Sequence, residues 1–223
     1  MDFLNTILDI VFPVNCISCK EKGSELCIKC ITSLREAERE CADWIFPLFD
    51  YRDPVVKKAI WFLKYKGKKR LAKILGEILY PRILEELSDL SQLKNFREPI
   101  LIPIPLSKSR QRERGFNQAM LICENLIKLD KDNYPSSKNK NFDLEKNVLI
   151  KIKNGEHQAR IEDRGKRLKN IIGSFAVKNK NLIYKRNIIL IDDVTTTGAT
   201  LEEAKRVLKQ AGAKKIVAFT IAH

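Results

Sequence analysis

Two adjacent acids follow a short apolar run near the C-terminus, in the segment NIILIDDVTTTGAT. The apolar run, residues 188–191, predicts a buried strand, and Asp192 and Asp193 come directly after it. A ribose presents two neighbouring hydroxyl groups, and adjacent carboxylates can accept hydrogen bonds from both of them. The acid pair therefore predicts a sugar-binding site at the end of this strand.

The loop after the acid pair is rich in hydroxyl groups and holds one glycine. Its residues are Thr195, Thr196, Thr197, Gly198, Ala199 and Thr200. Backbone amides and hydroxyls of such a loop can surround a phosphate, and the helix predicted after it adds its positive N-terminal end. A Walker nucleotide loop would need Gly-Lys-Ser/Thr, which this loop does not contain. Turn acids followed by a threonine helix cap are the structural alternative, but the combination favours a ribose-phosphate site.

Four cysteines near the N-terminus form two close pairs separated by seven residues. They are Cys16, Cys19, Cys27 and Cys30. Two thiolates from each pair can converge on one ion, and four sulfurs satisfy the tetrahedral coordination of zinc. Because all four ligands would come from the protein, we expect a closed, structural site.

Redox-active thiols are the alternative use of a Cys-x2-Cys pair. A second pair is superfluous for that chemistry, and no strand of the thioredoxin type precedes either pair. Cys41 could replace one of the four ligands. Cys123 lies in a helical apolar pattern, which favours a plain core cysteine.

One basic segment mixes cations with aromatic rings. Residues 57–73 contain eight Lys or Arg and no acid, with Trp61, Phe62 and Tyr65 between them. Such a mixture can neutralise phosphates and stack on bases. The spacing is also that of an amphipathic helix, and we expect Trp61 and Phe62 to pack in the core while lysines such as Lys66 stay free for ligand.

A second basic segment, SKSRQRERGFNQ, lies between a predicted strand and a predicted helix. This position places Arg110, Arg112 and Arg114 at the same strand-end rim as the hydroxyl-rich loop. A solvated basic turn is the alternative interpretation.

The elements that must position these residues alternate between strands and helices. Apolar runs predict buried parallel strands at 100–106, 148–152, 188–191 and 216–221. Apolar residues at three- and four-residue spacing predict helices at 55–64, 71–87, 117–129 and 201–210. This alternation predicts an α/β sheet, in which ligands bind beyond the carboxyl ends of the strands.

The overall balance is that of a globular protein, since 44% of the 223 residues are apolar and 31% are charged. The net charge of +14 favours an acidic partner such as phosphate, nucleic acid or an anionic membrane. Much of the excess lies in Lys- and Asn-rich stretches, which leaves a merely compositional origin open.

The first thirteen residues predict a short amphipathic helix that ends at Pro13 and is too short to span a bilayer. Without an export signal we expect a cytoplasmic protein with reduced cysteines. We divide the chain into an N-terminal helix and zinc-binding module over 1–42 and an α/β domain over 43–223. A polar stretch at about 130–145 predicts an exposed, mobile insertion in that domain.

Together these motifs resemble the ComF family of phosphoribosyltransferase-like proteins over nearly the whole chain. The matching segments are the cysteine pairs, FLKYKG at 62–67, IPIPL at 102–106, RGFNQ at 114–118, Gln158 with residues 167–170, and ILIDDVTTTGAT at 189–200. The chain departs from longer relatives in lacking a clear second set of zinc cysteines after Cys41. The resemblance implies a type I phosphoribosyltransferase-like parallel sheet flanked by helices, with a small N-terminal zinc module built on four cysteines.

The resemblance also implies a ligand and a set of roles. The ligand would be phosphoribosyl diphosphate with magnesium, the ribose held by Asp192 and Asp193 and the pyrophosphate by Arg110, Arg112, Arg114 and Lys66. The charged stretch 160–169 would close over the substrate. The biological role would be DNA uptake in natural transformation, and the zinc module could dock a competence helicase or single-stranded DNA.

Two alternatives stay open. The chain could be an active phosphoribosyltransferase of nucleotide or nucleobase metabolism, in which a nitrogen nucleophile displaces pyrophosphate from C1 of the sugar. It could also be a non-enzymatic adaptor that binds single-stranded DNA on the same fold.

Overall fold

The structure is a computed structural model that describes residues 14–38, 41–135, 140–152 and 171–223. The helix expected over 1–13, Gln158 and the charged stretch 160–169 lie outside these residues. Within the described part of the chain, no helix is both long and apolar enough to cross a membrane.

A five-stranded parallel sheet forms the centre of the fold, in the order β1-β7-β6-β2-β3. Its strands are β1 (Ile45–Phe49), β2 (Ile100–Pro103), β3 (Asp143–Leu144), β6 (Ile188–Val194) and β7 (Ile216–Ala222). A separate antiparallel pair consists of β4 (Leu149–Lys151) and β5 (Phe175–Val177). Strand β6 lies between β7 and β2, so the acid pair at its end is central in the sheet.

Six α-helices and one short 3₁₀ helix (Lys180–Leu182) surround the strands within the described residues. The α-helices are α1 (Ile28–Thr32), α2 (Pro54–Tyr65), α3 (Arg70–Lys94), α4 (Lys108–Arg114), α5 (Gln118–Asn133) and α6 (Ala199–Gln210). The predicted parallel sheet flanked by helices is thereby confirmed.

The alternating side chains of β6 separate two core clusters. Ile189 and Ile191 pack with apolar residues of α2, α3 and α5, whereas Ile188 and Leu190 pack with those of α6 and of the β4–β5 pair. Successive side chains of a strand point to opposite faces of the sheet. Helices α2, α3 and α5 therefore cover one face, and α6 covers the other.

Helix α2 begins with a strong cap. The Asp53 side chain accepts hydrogen bonds from the N–H groups of Val55 and Val56, at 2.8 and 3.3 Å, and Pro54 occupies the first helical turn. The helix ends just before Lys66. The first four residues of FLKYKG are therefore helical, whereas Lys66 and Gly67 follow the helix.

The prediction of a parallel strand at 148–152 is wrong. Residues 149–151 instead pair antiparallel with β5, outside the main sheet. Strand β3 ends at Leu144, and the four residues between it and Leu149 are too few for the crossover that a parallel neighbour requires. The sequence patterns did not identify β1, β3 and β5.

The polar stretch 130–145 differs from the expected exposed loop where the structure describes it. Its first residues complete α5 and Asp143–Leu144 forms β3, while Asp130 and Phe142 are buried. The Tyr80 hydroxyl donates to Asp130 Oδ1 at 2.9 Å, and the Asn141 N–H donates to Asp130 Oδ2 at 2.9 Å. This buried carboxylate joins α3, α5 and the chain that leads into β3.

Candidate functional site

The two acids at the end of β6 lie in different environments. Asp192 is half-buried and lines a cavity of about 330 Å³ beyond the carboxyl ends of the strands. Asp193 is only 8% exposed and is not among the residues that line this cavity. The predicted pair is therefore split, with Asp192 at the cavity wall and Asp193 behind it.

Lys64, on the last turn of α2, is the direct partner of Asp193. Its Nζ lies 2.7 Å from Asp193 Oδ1, and the two side chains are 18% and 11% exposed. Lys64 itself lines the cavity. An ammonium group thus stands in the cavity wall with a shielded carboxylate behind it.

Burial and the negative charge of Asp193 raise the pKa of Asp192 to about 7. Lys64, Lys151 and the N–H of Asp193 act in the opposite direction. Lys151 lies on β4, and burial lowers its pKa, with the positive charge of Arg110 adding to the effect. Asp192 is therefore influenced by cations from two separate elements, α2 and β4, and Arg110 of α4 lines the same cavity.

The hydroxyl-rich loop forms one wall of the cavity. Its six predicted residues, Thr195, Thr196, Thr197, Gly198, Ala199 and Thr200, all line it. Gly198 has a φ of +74° and precedes the first turn of α6, so the N-terminal end of that helix opens on this loop. Backbone amides, hydroxyls and a helix N-terminus are thus gathered at one place, as an oxyanion requires.

The basic segment after β2 is a helix, α4, rather than a turn. Ser107 caps it, accepting from the N–H of Arg110 at 3.3 Å, and Gly115 ends it with a φ of +76°. Arg110 and Arg114 line the cavity. Arg114 donates through Nη1 to Gln118 Oε1 at 2.9 Å, while its buried Nε has no partner among the described residues.

Two of the predicted cations lie elsewhere. Arg112 is exposed on α4 and donates to the carbonyl oxygen of Lys108 at 3.4 Å, and it does not line the cavity. Lys66 follows the end of α2 and lies over the ring of Trp61, 5.2 Å from its centroid, also outside the cavity lining. Lys64, Tyr51 and Lys151 were not predicted as site residues, whereas Tyr65 was predicted only as a ring able to stack on bases.

The four cysteines of the N-terminal pairs come together. The Sγ atoms of Cys16, Cys19, Cys27 and Cys30 all lie within 4.8 Å of one another. Four zinc–sulfur bonds of about 2.3 Å in a tetrahedron would separate the sulfurs by roughly 3.8 Å, so this cluster has the size of a metal site. The four residues can hold a metal ion such as zinc.

The other two cysteines take no part in this cluster. Cys41 packs against the core on the opposite face of the sheet, which rules out its replacing a ligand in this arrangement. Cys123 is fully buried, as predicted, and burial raises the pKa of its thiol.

The four-cysteine segment packs against α2, the helix that carries Lys64. Cys16, Ile17 and Leu26 belong to the same core cluster as Leu63 of α2. Glu25 is 7% exposed, and its Oε1 accepts from Lys68 Nζ at 3.4 Å, just after α2. A metal ion at the cysteines would therefore stabilise the segment that presents Lys64 and Tyr65.

Beside the cavity, two aromatic rings are exposed. Trp61 is 46% and Tyr65 51% exposed, with ring centroids 6.2 Å apart. Lys66 lies over the Trp61 ring, and the Arg114 guanidinium lies 5.2 Å from the centroid of Tyr65. The expected core packing is found for Phe62 but is wrong for Trp61, because α2 turns that position away from the sheet.

Comparison with known proteins gives clear relatives. The chain is 32% identical to "Competence protein ComFC" of Bacillus subtilis, covering 92% of this chain and 82% of that protein. It is 29% identical to "Competence protein ComFC" of Streptococcus pneumoniae, with 89% and 81% covered, and 30% identical to "Competence protein F" of Haemophilus influenzae, with 71% and 64% covered. A scan against protein-family models finds no match.

Solved structures similar to this chain include a hypoxanthine phosphoribosyltransferase of Trypanosoma cruzi. That structure has a TM-score of 0.40 and 12% identity, covering 68% of this chain and 64% of the other.

Proposed function

This chain belongs to the ComF family of competence proteins, and from that membership we propose that it binds phosphoribosyl diphosphate with Mg²⁺ and takes part in DNA uptake. The names of its relatives support the biological role. The ligand is supported by the cavity beyond β6, where a carboxylate suited to a sugar hydroxyl stands beside a loop suited to a phosphate. This juxtaposition is the observation that carries the proposal.

The charges around the cavity agree with a polyanionic ligand. Among the described residues, Lys64, Arg110 and Arg114 line it, against a single lining carboxylate, that of Asp192. A phosphate in the loop and a pyrophosphate at these cations would each meet positive charge. We assign the ribose 5-phosphate to the loop and the pyrophosphate to the side of α2 and α4.

Magnesium fits this site as a companion of the ligand. The cation prefers phosphate oxygens and water to an all-protein cage. Among the described residues, Asp192 is the carboxylate that lines the cavity, and Asp193 behind it is already paired with Lys64. When bound, magnesium would neutralise pyrophosphate oxygens, while Asp192 accepts from the sugar.

Isothermal titration calorimetry with phosphoribosyl diphosphate, with and without Mg²⁺, tests the proposal. The Asp192→Asn variant should bind about 10–100-fold more weakly, because a charge-assisted hydrogen bond contributes roughly 1.5–3 kcal/mol. Asp132→Asn, which changes an exposed acid on α5, should bind like the wild type. No binding by the wild-type protein would refute the proposal.

Turnover is a separate arm of the same experiment. If the chain is an active transferase, pyrophosphate should be released when candidate nucleobases are added to the complex. A tight complex that releases none with any nucleobase would favour a binding role.

A second candidate function, contact with single-stranded DNA, rests on the exposed rings of Trp61 and Tyr65. Aromatic faces beside Lys66 and Arg114 offer base stacking and phosphate neutralisation together. Trp61→Ala should weaken binding of a fluorescent oligothymidine about tenfold, since stacking on one ring contributes roughly 1–3 kcal/mol. Tyr184→Ala removes another exposed ring beneath a lysine and is the matched control. Equal affinities of the two variants would argue against this surface.

We further propose that the metal at the four cysteines is zinc and that it is structural. Four thiolates are the donor set that zinc prefers, and they leave no open position for a water. A cytoplasmic location, in which the thiols stay reduced, is part of this proposal.

A further inference from the structure

The acid pair and Lys64 form a layered arrangement. Asp192 lines the cavity, Lys64 also lines it, and Asp193 lies behind Lys64 with its carboxylate 2.7 Å from the ammonium. The Asp193 side chain is 11% exposed and its position outside the cavity lining leaves it poorly placed to meet a ligand directly.

We propose that the two acids have different tasks: Asp192 receives the sugar hydroxyls, whereas Asp193 is a positioning residue that holds the Lys64 ammonium in the cavity wall, where it binds the diphosphate group of the ligand. This inference rests on the proposed function for its ligand. It departs from the expectation that both acids contact the ribose, and it adds Lys64 to the site in place of Lys66.

The placement of Lys64 supports this task. Ile60 and Leu63 are buried in the core, and Lys64 lies one residue after Leu63 and one helical turn after Ile60. Its stem is thereby carried on the buried side of α2, and the side chain, which is 18% exposed, lines the cavity. Without a counter-ion, a flexible lysine at a helix end would extend toward solvent.

The surrounding positive charges favour a direct partner for Lys64, in addition to the more distant charge of Asp192. Arg110 and Arg114 line the same cavity, and Lys151 acts on Asp192 from β4. Three neighbouring cations would repel an unpaired ammonium, and Asp193 offsets that repulsion at hydrogen-bonding distance. Within the described residues, Asp193 is the acid that forms an ion pair with Lys64.

The anion that Lys64 would bind is the diphosphate rather than the 5-phosphate. The 5-phosphate belongs to the loop 195–200, which has its own amides and helix N-terminus. Lys64 instead shares the cavity with Tyr65, Arg110 and Arg114, the group of side chains contributed by α2 and α4. A diphosphate placed there would meet three cations.

A double-mutant cycle tests the proposal, with inorganic pyrophosphate and ribose 5-phosphate as the two probes. Lys64→Met and Asp193→Asn should each weaken pyrophosphate binding about tenfold, and the double variant should bind no more weakly than Lys64→Met alone. Binding of ribose 5-phosphate should change less than threefold in Asp193→Asn. Lys128→Met, which changes an exposed lysine on α5 outside the cavity lining, is the matched control and should bind both probes normally.

The opposite results would overturn the proposal. If Asp193→Asn weakens ribose 5-phosphate binding in the Lys64→Met background, Asp193 contacts the sugar itself. If pyrophosphate binding is the same in Lys64→Met as in the wild type, Lys64 is no anion ligand. Lys64→Gln serves as a second variant should Lys64→Met fail to fold. Failure of the proposed function gives a distinct result, because the wild-type protein would then not bind ribose 5-phosphate. The effect of Lys64→Met on pyrophosphate binding would still show whether Lys64 binds an anion.

Discussion

The N–H of Asp193 donates to Oδ1 of Asp192 at 2.8 Å, so the backbone of one acid holds the carboxylate of the other. Together with burial and the nearby charge of Asp193, this arrangement decides when Asp192 is ionised. Burial and repulsion outweigh the hydrogen bond and the neighbouring cations, and the pKa of Asp192 is raised to about 7. This raised pKa has consequences for ligand binding and for stability.

The first prediction concerns the pH dependence of ribose 5-phosphate binding. Asp192 must be ionised to accept sugar hydroxyls, so affinity should fall as the pH drops through the raised pKa of Asp192. Well below that pKa, each pH unit should weaken binding by up to about tenfold. The phosphate group of the ligand also titrates. Inorganic phosphate is therefore the control, because it fits the loop without needing Asp192. A parallel loss of affinity for both ligands would contradict a role for Asp192 in sugar binding.

The second prediction is that Asp192→Asn stabilises the folded protein. In the unfolded chain the carboxyl ionises near its ordinary pKa, whereas folding raises that pKa. Ionisation therefore lowers the free energy of unfolding as the pH rises through this interval, and the full loss is present above the folded-state pKa. At a pH of about 8 the variant should melt roughly 2–6 °C higher, for a gain of about 1–2 kcal/mol.

The same variant should show little gain at a pH of about 4, where the wild-type carboxyl is largely protonated in the folded state and about half protonated in the unfolded chain. Differential scanning calorimetry at the two pH values measures this, with Asp132→Asn as an exposed control. A gain of equal size at both values would mean that ionisation of Asp192 is not its cause.

The third prediction concerns removal of the metal from the cysteine cluster. Chelation should lower the melting temperature and should also weaken binding of phosphoribosyl diphosphate, because Cys16 and Leu26 share a core with Leu63 and Glu25 pairs with Lys68. Metal content, measured by plasma mass spectrometry, should be lost in Cys19→Ser and retained in Cys41→Ser. Full metal content in Cys19→Ser would contradict the four-cysteine site.

The parts of the candidate site whose arrangement follows from the sequence are local in the chain. Strand β6, the loop 195–200 and the start of α6 follow one another, so their order along the chain already determines how they meet. The same holds for the two cysteine pairs, which lie within fifteen residues. In each case the spacing of the residue types along the chain determines how the residues are arranged in space.

Lys64 was missed because its partner lies far away in the chain. Its contact with Asp193 depends on how α2 packs against β6, which no local pattern specifies. One signal was present: Lys64 follows Ile60 by one helical turn, on the apolar side, whereas Lys66 lies beyond the helix end. Hydrophobic spacing along α2 therefore distinguishes the two lysines better than the FLKYKG motif does.

Strand β4 shows why a strand can be predicted from the sequence while its neighbour in the sheet cannot. The segment 148–152 that contains β4 has the apolar, β-branched character of a buried strand, and all of its residues except Ile152 are buried or half-buried. Composition reports burial, but it does not report the direction of the neighbouring strand. The short connection from β3 carried that information, and β3 is only two residues long and was not recognisable as a strand.

The last prediction uses the two tryptophans, which lie in contrasting environments. Trp44 is 8% exposed, and its Nε1 donates to Glu202 Oε1 at 3.1 Å, whereas Trp61 is 46% exposed beside Tyr65. In the Trp44→Phe variant, fluorescence therefore reports Trp61 alone. If bases stack on this ring, adding oligothymidine should quench the emission, and raising the salt concentration should reverse the quenching as phosphate contacts weaken. Trp61→Phe, which keeps only the buried Trp44, is the reciprocal control. Quenching of equal size in the two variants would show that the DNA does not stack on Trp61, and the basic surface would then act through charge alone.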